Sequence, residues 1–161
     1  MRELAWFENS EKLTLPEIIP LEGRFRLDSL IWAAEAALEA QNSSSEAART
    51  FLGVCGLERE VHNGGFNQFF FNSSGKYASH IVDSLDRIGS VKIRSIARDA
   101  IECIGAAPHW GAEEFHFAAA ESSDEIDERL DALDEEYYDA RQIEDIDALL
   151  WGFLIEHAAE L

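Results

Sequence analysis

The chain has 161 residues, is 47% hydrophobic and carries a formal charge of −19 from 13 basic and 32 acidic residues. That length and composition suit one compact domain with its own core. The longest apolar run, LLWGFLI at 149–155, falls far short of the roughly 20 residues of a membrane span, and so acidic a chain argues against nucleic acid or an anionic membrane as ligand and for a basic partner or cations.

The charge is uneven. Residues 1–40 hold 8 acids and 4 bases, residues 41–110 hold 7 and 7, and residues 111–161 hold 17 and 2, a net of −15 in the last third. At the N-terminus, MRELAWFENSEK places Glu3 and Glu8 where a signal peptide needs a long apolar stretch, so a cytoplasmic location is expected. Cys55 and Cys103 form no CxxC or His/Cys cluster and read as reduced, mostly buried thiols.

In chain order, residues 1–26 contain Pro16, Pro20 and Gly23 with no sustained period, which predicts an irregular lead-in with at most short structure. Leu27, Leu30, Ile31, Ala34 and Leu38 then follow helical spacing through the alanine-rich WAAEAALEA. Ser43 with Glu46 forms a capping-box pattern for a second helix over roughly 44–60, with Phe51, Val54, Cys55 and Val61 inward. Tyr77, Ile81, Leu85 and Ile88 predict a helix ending at Gly89, and Ile93, Ile96, Ala97, Ala100, Ile101 and Ile104 another ending at Gly105. GAAPHWG at 105–111 reads as a loop and AEEFHFAAA at 112–120 as a short helix. Ser122 and Glu125 make a second capping-box pattern. Two amphipathic helices follow, one seamed by Ile126, Leu130, Leu133, Tyr137 and Ala140, the other by Ile143, Ile146, Leu150, Phe153 and His157. No segment alternates at period two, so the expected fold is all-α, a compact single-domain bundle of six to eight helices.

Between the second and third of these helices stands VHNGGFNQFFFNSSG at 61–75. It reads first as a structural corner: Gly64 and Gly65 turn the chain, Phe66, Phe69 and Phe70 share a helical face that anchors it, and Asn72 or Ser73 caps a helix starting near Lys76. A hairpin is rejected because no alternating strands flank the Asn-Gly pair. The alternative is a polar pocket in which His62, Asn63, Gln68 and Asn72 converge on a small ligand or substrate, with glycine-rich turns able to cradle an anion.

Other chemistry is thinly represented. Neither cysteine nor Ser73 or Ser74 has the context of an activated nucleophile, so no catalytic residues are assigned and no enzyme is expected. Glu113 and His116 form one ExxH pair with His109 nearby, but a carboxylate-bridged di-metal bundle needs that pair twice; no metal and no cofactor are expected. The remaining candidate is the acidic segment. Asp124, Glu125, Asp127, Glu128, Asp131, Asp134, Glu135, Glu136, Asp139, Glu144, Asp145 and Asp147 face only Arg129 and Arg141. An ordinary solvated helix face interleaves lysine with glutamate, because like charges four apart repel. Here the repulsion is kept, and the segment's charge per unit length approaches that of one DNA strand, provided both helices turn their acids to one side.

NGGFNQFFFNSSGKYA at 63–78, the helix pair after it, and DERLDALDEEYYDA with DIDALLWGFLIEH within 127–157 resemble the C-terminal domain of the bacterial DNA-mimic protein family, over roughly residues 46–158. Residues 46–161 are accordingly expected to form the helical DNA-mimic-type domain, with residues 1–45 as a lead-in plus first helix. The resemblance implies an all-helical, acidic protein of a kind that is often dimeric, so a homodimer is one expectation. It also implies regulation of transcription, since a member of that family presents carboxylates in place of phosphates to a helix-turn-helix regulator and keeps it off DNA. The expected partner is thus a basic DNA-binding protein, bound through the twelve carboxylates, with no nucleic acid or membrane bound directly. Two other functions remain open: a small-ligand protein or enzyme built on the NGG corner, and an immunity-type antagonist of a basic toxin.

Overall fold

A computed structural model describes residues 3–161; Met1 and Arg2, the start of the expected lead-in, lie outside the described residues. Eight α-helices follow one another there, and apart from a single bridge pairing Ala5 with Phe25 there is no strand among the described residues. The all-α expectation holds. No helix there is long and apolar enough to cross a membrane.

The lead-in contains α1 (Leu15–Ile18) and a 3-10 turn at Ile19–Leu21. It is tied to α2 (Leu27–Gln41) through buried Ser29, whose hydroxyl accepts the Phe7 N–H at 3.0 Å and donates to the Arg26 carbonyl at 2.6 Å. Ile18, Leu30, Ala34 and Leu38 lose all solvent contact, so these first helices belong to the same core as the rest.

The central element is α3 (Glu46–Phe71), far longer than the 44–60 expected. Its cap is Ser45, which accepts the Ala48 N–H at 3.0 Å, and not the expected Ser43. Gly64 and Gly65 leave helical geometry inside it. The NGG corner is therefore a break within one helix, after which Phe66, Phe69 and Phe70 bury completely, as the spacing predicts. A 3-10 helix over Ser73–His80 replaces the expected helix start near Lys76, and the Asn72 side chain does not cap it. Gly75 is needed there because a Cβ would stand 2.6 Å from the Phe70 carbonyl oxygen.

Helix α4 (Ile81–Arg87) packs on α3 and the 3-10 segment, α5 (Lys92–Cys103) packs on α4, and α6 (Ala112–Ala120) again covers α3 and the 3-10 segment. α7 (Asp124–Arg141) lies against α3 and α5, with Leu130, Leu133, Tyr137 and Ala140 buried as expected. Its cap is Ser123, one residue beyond the expected Ser122. α8 (Ile146–Glu156) buries Ile146, Leu150, Trp151, Phe153 and Leu154, whereas Ile143, expected on its apolar seam, precedes the helix and is 70% exposed.

Candidate functional site

The buried residues of α7 set which of its residues face water. At about 100° per residue, Asp124, Glu128, Asp131, Glu135 and Asp139 fall within an arc of about 80° opposite the Leu130–Leu133–Tyr137–Ala140 seam. All five are exposed and none makes a side-chain hydrogen bond or ion pair among the described residues. Glu125 and Glu136 flank this stripe; Arg129 beside them reaches Glu136 only at 4.0 Å. The other arginine of the acidic third, Arg141, turns inward, its Nε 2.9 Å from Glu58 on α3. The outward stripe therefore keeps its full negative charge.

The remaining carboxylates of the segment are held in structural contacts. Asp127 accepts from the Ser122 hydroxyl at 2.5 Å and from Asn67 at 3.2 Å. Asp134 accepts the Phe66 N–H at 2.8 Å, just past the glycine break; burial foremost, with Asp131 and Glu135 adding repulsion, lifts its pKa to about 6. Glu144 closes the N-terminus of α5, accepting from the Val91 and Ile93 N–H groups at 2.7 and 3.1 Å and from the Ser90 hydroxyl at 2.8 Å. Burial pushes its carboxyl up, but these hydrogen bonds outweigh it and hold the pKa below the usual range. Asp145 caps α8 through the Ala148 N–H at 3.0 Å, and Asp147 faces Arg141 at 3.6 Å. The expectation that two helices share one acidic face thus narrows to α7.

The polar residues of the NGG block divide. Gln68 and Asn72 donate to Glu60 at 2.8 and 2.9 Å, joined by the Ser74 hydroxyl at 3.2 Å. Glu60 is buried, which raises its pKa, yet these donors and Arg59 more than offset that and leave it lowered. The block's amides thereby clamp the two sides of the helix break. His62 and Asn63 lie elsewhere, lining an open groove of about 540 Å³ with Gly64, Gly65, Asp131, Asp134, Glu135 and Tyr138. The four residues of the pocket reading are not brought together, while two of them join the acidic surface that sequence spacing treated as its rival.

A second cavity, of about 410 Å³, lies on the other side of His62 and Asn63, lined also by Trp32, Glu35, Cys55, Glu58, Arg59, Arg141 and Asp147. Sequence spacing missed it because its walls come from α2, α3, α7 and α8, from Asp28 to Leu150 in the chain. Arg59 pairs with Glu35 at 2.5 Å, and Tyr137 donates to Glu58. Burial pushes the Cys55 thiol well up, which leaves it a poor nucleophile at neutral pH. His116 of the ExxH pair is engaged through Nδ1 with the Phe71 carbonyl oxygen at 2.7 Å and packs against the Phe71 ring at 4.3 Å.

No curated protein and no solved structure matches the chain. A family profile described as DMP19-like protein matches residues 42–157, which include the α3 break, the Glu60 clamp and the whole of α7. This is the DNA-mimic family that the NGGFNQFFFNSSG block resembles, and the chain belongs to it: it is a DMP19-like (DNA mimic protein 19-like) protein.

Proposed function

We propose that the chain acts by binding and not by catalysis, its α7 stripe occupying the DNA-contacting surface of a basic DNA-binding protein, such as a helix-turn-helix regulator, and so excluding DNA. The observation that carries this reading is the unpaired state of Asp124, Glu128, Asp131, Glu135 and Asp139 on one exposed face. With Glu125 and Glu136 and less Arg129, the exposed charge is six over the fifteen helical steps that separate Asp124 from Asp139. That is one charge per about 3.7 Å at the helical rise, close to the 3.4 Å or so between phosphates of one DNA strand. Membership of the DMP19-like family supports the same reading, as does the family resemblance for a homodimer.

Competition is the direct test. A protein captured by the chain should be released by duplex DNA and by added salt, because both partners' counterion atmospheres enter the equilibrium. Replacing Glu128, Asp131, Glu135 and Asp139 by Gln or Asn should weaken capture at least tenfold while the helical circular dichroism is unchanged. Undiminished capture by that variant would refute the reading. A captured protein that is a basic toxin indifferent to DNA would move the same surface to the antagonist reading.

A further inference from the structure

Trp32 stands on the outer face of α2, 64% exposed, against the 410 Å³ cavity whose walls include Glu35, Glu58, Arg59, Arg141 and Asp147. Asp28, also in that wall, is already held by Arg26 at 2.5 Å, which leaves Glu35, Glu58 and Asp147 as three carboxylates against two guanidiniums. The guanidiniums are already committed, Arg59 to Glu35 at 2.5 Å and Arg141 to Glu58 at 2.9 Å. Asp147 is served by Arg141 only at 3.6 Å, beyond hydrogen-bond length. An anionic ligand would meet this excess of carboxylates, whereas a cation that donates hydrogen bonds would find open acceptors. The ring of Trp32 adds a face that attracts a cation, an observation independent of the carboxylates. The volume lies within the range of small-group binding sites, and through His62 and Asn63 the cavity adjoins the groove of Asp131 and Glu135.

We propose that this cavity receives the guanidinium or ammonium head of one arginine or lysine side chain of the basic partner. The assignment rests on the DNA-mimic reading and divides its labour: the α7 stripe attracts at long range, and the cavity fixes one anchor beside it. The test is a titration of the full chain with N-acetyl-arginine amide and with its uncharged citrulline counterpart, followed by 15N–1H correlation spectra. Saturable shifts are expected at the Trp32 indole, Glu35 and Arg141 with the arginine probe, and a response weaker by at least tenfold with citrulline. Trp32→Ala and Asp147→Asn should each weaken the arginine probe about threefold to tenfold. Equal response to both probes, or shifts confined to Asp131, Glu135 and Asp139, would overturn the cavity. Spermidine filling it at lower concentration than the arginine probe would overturn the side-chain occupant. The two readings fail separately. If Trp32→Ala and Asp147→Asn leave partner capture unchanged, the anchor falls and the mimicry stands. If the stripe variant captures the partner normally while the arginine probe still fills the cavity, the mimicry falls.

Discussion

Asp134 holds a proton more tightly in the fold than an ordinary aspartate, its pKa lifted to about 6 by burial and by repulsion from Asp131 and Glu135. A carboxyl raised on folding adds stability below its unfolded pKa near 4 and loses it as the pH rises through 6. At neutral pH the ionised group therefore costs stability. Two pKa units amount to roughly 3 kcal/mol, which its half exposure reduces to about 1–1.5 kcal/mol. Asp134→Asn keeps an acceptor for the Phe66 N–H and removes the charge. It should raise stability by about that amount in urea titrations at pH 8, and the gain should vanish at pH 4. Glu144 has the opposite sign. Its pKa is lowered by the α5 N–H groups, so its contribution is present above the usual carboxylate range and fades as the pH falls through its folded value. Val91, at the start of α5, supplies no side-chain cap, and Glu144→Ala should cost about 1–2 kcal/mol near pH 7, as loss of a helix cap does.

At the scale of elements, the break in α3 shows how adjacent glycines differ. Gly65 has φ +81° and its missing Cβ leaves room for the Asp134 carboxylate; Gly64, at φ −175°, is in extended geometry open to any residue. Gly65→Ala combines left-handed strain with loss of the Asp134–Phe66 contact and should cost about 2–4 kcal/mol in equilibrium unfolding. Gly64→Ala meets only the Gln68 side chain and should cost about 1 kcal/mol or less. The phenylalanine spacing was legible because i, i+3 and i+4 positions share a face wherever a helix forms. The continuation of α3 through Asn-Gly-Gly was not, because it depends on Glu60 gathering Gln68, Asn72 and Ser74 across the break. Likewise Ser43 and Ser122 have the glutamate three positions on that a capping box needs, and Ser45 and Ser123 do not, yet it is Ser45 and Ser123 that cap; Ser122 instead binds Asp127.

For the whole molecule, −19 charges on one domain repel one another, and the repulsion is screened over about 10 Å at 0.1 M salt. Raising sodium chloride from about 0.02 to 0.5 M should increase Tm by a few degrees, corresponding to about 1 kcal/mol for a domain of this size. The variant with Glu128, Asp131, Glu135 and Asp139 neutralised, at −15 by subtraction of four from 19, should melt higher in low salt and respond less to its addition. A stripe that destabilises its own fold and makes no internal contact is what a binding surface for a basic partner requires.

Composition and periodicity alone determined that the chain is helical, which residues face inward for most of α5 and α7 and part of α2, and that charge gathers in the last third, because helical spacing and net charge are local or additive properties. Which carboxylates remain free was decided only by the tertiary structure. Asp127, Asp134 and Glu144 look no different in sequence from Asp131 or Glu135, yet each lies within reach of an unpaired donor from a distant segment. A buried donor left unpaired would cost more than the contact returns, so the fold takes those carboxylates for itself and leaves the rest facing water.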